Sequence, residues 1–379
     1  MAILFDNVRV FTAGSFFPGQ KVLIEKGKIA AIGSKILKNV DLTIDGDKKY
    51  LVPAMIDAHT HLSLNDSVYG WEGSDINERF TPICPQLRPL DGIKMRDQVL
   101  LDARKAGISV SMVCPGPVNP IAGQCSILKT YGNSADVGLI VEQGGVQFSF
   151  GIEPKQNYRR QKKFPSTRMG VTAIIRETLQ KAMDYLEQKN SKKGLRDRIL
   201  QMETLCGLLE KKVPMWAHAD RLEDIMSAIR IAEEFDLRLI IEHGTEAHLA
   251  AKTLAEKKIP VVLSNTVMHP IRFDVVGHAY ENATTLLDAG VEVAFASDAP
   301  HLPVDNLRLT AAMAIQYGLD EKRAIQCITE FPAKILGISN RVGQVKKGYD
   351  GDVALFSGHP LDMRSRMEML VLDGEVFRF

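Results

Sequence analysis

The sequence predicts an α/β protein: a closed barrel of eight strand–helix units, with a small β domain assembled from both chain ends. Three observations predict it. Both ends share a short strand-like texture broken by glycine turns: "ILFDNVRVF", "KVLIEKGKIAAIG" around Gly27 and "VDLTIDGDKKYLV" around Gly46 at one end, "RVGQVKKGYDGDVALFSG" and "MLVLDGEVFRF" at the other. Between them, short apolar strands alternate with amphipathic helices, the mark of βα units and a parallel sheet. Finally, 379 residues accommodate one barrel of about 250 residues plus something smaller. The expected domains are 1–53 with 341–379 for the small β unit and 54–340 for the barrel.

Within the barrel the expected strands are 55–58, 108–113, 137–141, 146–150, 214–217, 237–241, 260–263 and 291–296, each a short apolar run. "RLEDIMSAIRIAEEF" places Leu222, Ile225, Met226 and Ile229 at helical spacing with charge opposite, so it reads as a covering helix. No repeat or low-complexity segment interrupts the array.

Composition narrows the function. With 45% hydrophobic and 25% charged residues and a net charge of +1, the chain has no general attraction to nucleic acid or anionic lipid. Charged residues break the apolar runs of "MAILFDNVRVFTAG", and no stretch approaches the roughly 20 apolar residues of a membrane helix, so no membrane association and a cytoplasmic location are expected. The five cysteines are scattered without a C-x-x-C pair, which argues against a disulfide framework and a thiolate zinc site. The expected partner is a small-molecule substrate, and self-association stays open.

Chemistry-bearing residues stand where the apolar runs end. His59 and His61 close "LVPAMIDAHTHLSL"; in a strand, residues i and i+2 face the same way, so both imidazoles reach one ion. His218 follows "VPMWA", His243 follows "LRLIIE", Asp298 follows "VEVAFAS", and Glu153 comes shortly after "GGVQFSFG". A lone histidine at a strand end is ordinarily a hydrogen-bonded structural residue. Packing gives no reason for every candidate to fall at a strand end of one array, where a barrel gathers its catalytic groups, so together they read as a metal site. No phosphate loop or serine nucleophile elbow occurs.

"VPAMIDAHTHL", "WAHAD", "IIEHG" and "ASDAP", inside ends that carry "GQVKKGYDGDVALF", resemble the amidohydrolase superfamily, specifically its imidazolonepropionase-like members. "WEGSDINERFTP", "NPIAGQCSILKTYG" and "PSTRMG" extend the likeness over nearly the whole chain. The resemblance implies a distorted TIM (β/α)8 barrel with a small β-sandwich, metal at the strand ends, and hydrolysis of an amide or other C–N bond. It carries His59 and His61 onto the strand-one pair, His218 onto the strand-five ligand, His243 onto the strand-six histidine and Asp298 onto the strand-eight aspartate. Two departures leave the metal count, one or two ions, and the substrate open. Members often place a lysine on strand four, carbamylated in binuclear enzymes, where this chain has Gln147 and, further on, Glu153; Asp220 stands where relatives often have a second histidine.

Imidazole and carboxylate donors suit zinc, the default, and also manganese, iron, cobalt or nickel. The chemistry expected is attack by a metal-activated water, with Asp298 moving its proton to the leaving nitrogen and His243 either polarising the carbonyl or binding a second ion. Glu153 is either a bridging ligand or a rim glutamate paired with Lys155 or Arg168. Cyclic amides, N-acyl amino acids and dipeptides are the substrate classes. Deamination is the alternative in the same superfamily, although Arg221, three residues after His218, replaces the glutamate shuttle of those enzymes. A non-catalytic assembly module is the alternative of another class, disfavoured because the expected ligands are all retained.

Two long connections overlie the expected site. The first, 65–93, exceeds the usual 12 to 15 residues and offers Trp71 and Arg79. The second, "KQNYRRQKKFPSTRMG", concentrates Arg159, Arg160, Lys162, Lys163 and Arg168, either a solvated face or a carboxylate clamp. Tyr158 and Arg168 from the second connection, Arg221, and His269 and His301, which follow the expected strands seven and eight, are the expected substrate contacts, with His359 structural in the terminal β region.

Overall fold

The computed structural model describes residues 1–65, 70–192, 194–195, 197–264 and 275–379. The chain opens with β1 (Ala2–Thr12), β2 (Ser15–Glu25), β3 (Lys28–Gly33), β4 (Leu42–Asp45) and β5 (Tyr50–Pro53). The β2–β3 turn forms as expected around Gly27: Lys26 and Gly27 sit at φ 50 and 71, the left-handed pair a two-residue hairpin requires. Eight further strands follow: β6 (Met55–Thr60), β7 (Ile108–Val113), β8 (Ile121–Lys129), β9 (Leu139–Ser149), β10 (Met215–Ala219), β11 (Leu239–His243), β12 (Val261–Leu263) and β13 (Val293–Phe295). The chain ends with β14 (Val353–Phe356), β15 (Met367–Leu372) and β16 (Glu375–Arg378).

The two termini meet because β14 lies antiparallel on β5, Val353 opposite Pro53, giving one sheet in the order β16-β15-β14-β5-β1-β2-β3 with β4 beside β1. Strands β6 to β13 pair in chain order into a second, nearly closed sheet, the distorted TIM barrel. Its seam is bridged by residues 327–328: Phe295 N donates to Cys327 O, and Ile56 N donates to Ile328 O, both at 2.9 Å. Ile56, Val110, Cys125, Trp216, Ile240, Val262 and Ala294 fill the interior. The helix Leu222–Glu234 covers the outside as its periodicity predicts, burying Ile225, Ala228, Ile229, Ile231 and Ala232, each isoleucine contributing roughly 1.5–3 kcal/mol.

The third and fourth strands differ from expectation. Most of the 137–141 and 146–150 runs falls in one strand, β9, and the third barrel strand is β8, antiparallel to both β7 and β9. Gly144–Gly145 reads as a break in sequence but serves close packing, since a Cβ on Gly145 would lie 2.1 Å from Trp216 Cδ1. β8 is buried along its whole length, and its glycine and polar residues hide it from a search for apolar runs.

A buried ion cluster ties the barrel to the terminal sheet. Lys129, at the end of β8, places Nζ 2.9 Å from Asp350, 2.9 Å from Asp352 and 2.5 Å from Asp373. Breaking such a cluster from one side leaves uncompensated buried charge. Lys129→Met is therefore expected to destabilise the protein by on the order of 3 to 5 kcal/mol, read by denaturant unfolding, with metal content unchanged. A parental unfolding midpoint would show that the cluster adds nothing to stability.

Candidate metal centre

The barrel's C-terminal mouth is assembled by hydrogen bonds between the ends of its first and last strands. His61 N donates to Ala299 O at 2.7 Å and Ser297 N donates to Asp57 Oδ1 at 3.0 Å, so His59 and His61 come to face Asp298. His243 and Asp298 both adopt left-handed backbone, φ 70 and 61, uncommon for residues with a side chain and typical of functional turns. Gly244 follows at φ 58, where a Cβ would lie 2.8 Å from Val261 Cγ1, so the chain turns sharply and leaves the His243 ring over the mouth.

His59, His61, His218, His243 and Asp298, expected from sequence to act together, lie together and are all buried. The His59 and His61 rings are 5.0 Å apart, the His218 and His243 rings 4.2 Å, and His59 and His243 6.3 Å. Asp298 Oδ1 is 3.7 Å from His61 Nε2 and 4.0 Å from His59 Nε2, while Oδ2 is 3.7 Å from His243 Nε2. Among the described residues, two groups have ligand atoms within 4.8 Å of one another: His59 with His61 and Asp298, and His218 with Asp220 and His243. Outer contacts fix ring orientation, as metal-ligating histidines require. His61 Nδ1 donates to Cys114 O at 2.7 Å, which turns Nε2 inward.

Two carboxylates were not foreseen as site residues. Asp220 lies 3.5 Å from His218 Nε2 and 3.4 Å from His243 Nδ1, and accepts from Thr245 Oγ1. Glu242, fully buried on β11, has Oε1 3.4 Å from His59 Nε2 and 3.3 Å from His243 Nε2, and Oε2 3.1 Å from His218 Nδ1. Gln147, at the strand-four position, donates Nε2 to Glu242 Oε2 at 3.1 Å. The signal in sequence was parity: Glu242 lies two residues after Ile240, whose side chain fills the barrel interior.

Burial and neighbouring charges act in opposite directions across the mouth. Burial pushes the His243 imidazole down, but Glu242 and Asp220 outweigh it and carry the group up to about 10. Burial likewise raises the Glu242 carboxyl, yet His59, His243 and His218 hold it well below the usual range. His61 goes the other way, down to about 3, through burial and the neighbouring His59. Glu242 and Asp220 set two carboxylates against these imidazoles, a mixed donor set of the kind that holds a divalent cation. The donor set fits one, because Glu242 Oε1 and His59 Nδ1 are buried with no hydrogen-bond partner.

Above these residues opens a cavity of about 440 Å³, within the range of small-molecule sites. His61, His218, His243 and Asp298 line its floor, and His301 lies in its wall with its ring 5.2 Å from that of His61. Arg79 and Arg160 line it too, on the two connections singled out from sequence.

Other expectations are corrected. Residues 152–160 form a helix, not a loop, so Glu153 sits in a first helical turn lining the cavity and belongs to neither ligand group. Tyr158 is fully buried and donates its hydroxyl to Asn119 Oδ1 at 2.6 Å, a core contact. Arg168 is bound in two-pronged fashion by Asp224, at 2.7 and 3.0 Å, and does not line the cavity. Arg221 faces Glu223 at 3.0 Å just ahead of the covering helix, also away from the cavity lining. His269 lies outside the described residues.

The solved structure of an amidohydrolase from Thermotoga maritima superposes with a TM-score of 0.95 at 37% identity and full coverage of both chains. The chain belongs to the amidohydrolase superfamily. The Amidohydrolase family model matches residues 189–376, the part that carries His218, His243 and Asp298. The amidohydrolase tasK of Hapsidospora irregularis is 23% identical over 93% of this chain, and the chain spans only 39% of that relative's length. A dihydroorotase of Elusimicrobium minutum is 21% identical over 94% of this chain and 88% of its own. Amidohydrolases are in general metal-dependent, which agrees with the two groups of ligand atoms at the mouth. Among the described residues, no helix of this amidohydrolase is long and apolar enough to cross a membrane.

Proposed function

We propose that this amidohydrolase hydrolyses an amide or related C–N bond in a small molecule that carries a carboxylate. The observation that supports it is the convergence of His59, His61, His218, His243 and Asp298 beneath a cavity that Arg79 and Arg160 also line. The four histidines and Asp298 would hold the metal, zinc by default, which supplies Lewis acidity and a nucleophile at neutral pH. Asp298 takes the proton of the attacking water through its cavity-facing carboxylate and returns it to the leaving nitrogen. In a centre with one ion, His243 would instead polarise the scissile carbonyl. Arg221, three residues after His218 and paired with Glu223, supplies no shuttle carboxylate, which favours hydrolysis over deamination.

Arg79 and Arg160 would bind the substrate's carboxylate. Asn157 Nδ2 and Gln161 Nε2 donate to the Arg79 carbonyl at 3.1 and 2.8 Å, so the helix that ends in Arg160 pins the loop that carries Arg79. Guanidinium is suited to planar recognition of a carboxylate. Metal-reconstituted protein should turn over N-acyl amino acids, dipeptides or carboxylated cyclic amides. Arg79→Ala and Arg160→Ala should each raise KM on the order of 10-fold with kcat little changed, as loss of a charge-assisted hydrogen bond outside the reacting centre implies. A preference for amides lacking a carboxylate, or parental KM in both variants, would sink the carboxylate reading.

A further inference from the structure

We infer that Glu242, from the sixth barrel strand, is the anionic ligand that joins the two halves of the metal centre, and that Asp220 orients histidines without binding metal. Three inward-facing imidazole nitrogens surround the Glu242 carboxylate. His59 Nε2 and His243 Nε2 approach Oε1 at 3.4 and 3.3 Å, and His218 Nδ1 approaches Oε2 at 3.1 Å. Oε1 has no hydrogen-bond partner, though its residue is fully buried. A buried carboxylate oxygen whose nearest donors, at 3.3 and 3.4 Å, make no hydrogen bond to it is under-satisfied, and contact with a cation would satisfy it.

Glu242 Oε1 faces a donor from each group, His59 Nε2, whose group includes His61 and Asp298, and His243 Nε2, whose group includes His218, while Oε2 faces His218 Nδ1. A carboxylate placed between the two groups would supply the shared anionic ligand that closely spaced ions need. Gln147 supports this arrangement: its amide cannot act as an anion, but its Nε2 donates to Oε2 and fixes the Glu242 rotamer.

Asp220 is on the opposite side of the same rings. It faces His218 Nε2 and His243 Nδ1, whereas the nitrogens that converge on Glu242 are His218 Nδ1 and His243 Nε2. An imidazole that donates outward to a carboxylate presents its other nitrogen inward as a ligand. Asp220 therefore acts through His218 and His243. Glu153, in its helical first turn, is not needed as the bridging group.

The inference rests on the reading of the mouth as a metal centre, and metal counting separates the two. The test uses full-length protein, demetallated and then saturated with Mn²⁺, with ions per chain measured by elemental analysis and the pair monitored by electron paramagnetic resonance. The parent should hold two ions with an exchange-coupled spectrum. Glu242→Gln should hold at most one, with the six-line signal of an isolated ion, while Asp220→Asn keeps two. Should Glu242→Gln fail to fold, Glu242→Asp, which keeps the charge with a shorter reach, should bind the second ion at least 10-fold more weakly. A Glu242→Gln protein with two coupled ions, the reverse pattern with Asp220→Asn losing an ion, unchanged affinities in Glu242→Asp, or a parent that saturates at one ion would each overturn the role of Glu242. A parent that binds none would overturn the metal centre itself.

Discussion

Asp298→Asn is expected to lower turnover of a responsive substrate by at least about 10²- to 10⁴-fold while leaving the fold intact. Asp298 sits on the left-handed turn after β13, its two oxygens 3.7 Å from His61 Nε2 and His243 Nε2, in the cavity floor. Asparagine has the same outline and tolerates φ 61 as well as aspartate does, so the turn persists. The amide cannot take a proton from water, and it is a weaker metal ligand, so two losses fall on one step. Rates on the best substrate of the carboxylate panel, with a thermal melt as control, provide the measurement. Near-parental turnover would remove Asp298 from the mechanism.

The gross architecture was legible because both of its signals are periodic. Strands β1 to β5 and β14 to β16 announce themselves through glycine turns, and most barrel strands through short apolar runs. β8 escaped for a physical reason: it is buried on every residue, yet in "IAGQCSILK" Gly123, Gln124, Ser126 and Lys129 interrupt the apolar run that a buried strand would otherwise show. Gly145 misled in the same way, since a glycine needed for contact with Trp216 looks like one needed for a turn.

The five candidate ligands were visible because each ends an apolar run, a position that strand geometry and barrel closure turn into a common face. Glu242 and Asp220 lie beside two of those histidines but carry no such marker. Parity with Ile240 hints that Glu242 points into the barrel, but the hint needs the facing of Ile240, which the pairing of the strands, His218 opposite Glu242, fixes. Tyr158 and Arg168 illustrate the converse error. A cluster of basic residues suggested a clamp, but the Arg168 charge is already matched by Asp224, and the Tyr158 ring is core. The guanidinium groups that do line the cavity, Arg79 and Arg160, are exposed.

The double variant His59→Ala, His61→Ala should lose at least one metal ion per chain and, with it, turnover. Both rings are buried, and the links that position them persist in the variant because they are made by backbone: His61 N to Ala299 O and Cys114 N to Thr60 O. The substitution thus removes ligands while the mouth keeps its frame, at the expense of a cavity whose effect on stability a melt of metal-free protein measures separately. Metal remaining at His218 and His243 cannot reproduce the site, because Asp298 then faces one imidazole instead of three. Single variants should fall between parent and double variant in metal content, since two ligands on one ion are coupled and the loss of one weakens the other. A double variant with the parent's full metal content would place the ion elsewhere and detach the strand-one histidines from the chemistry.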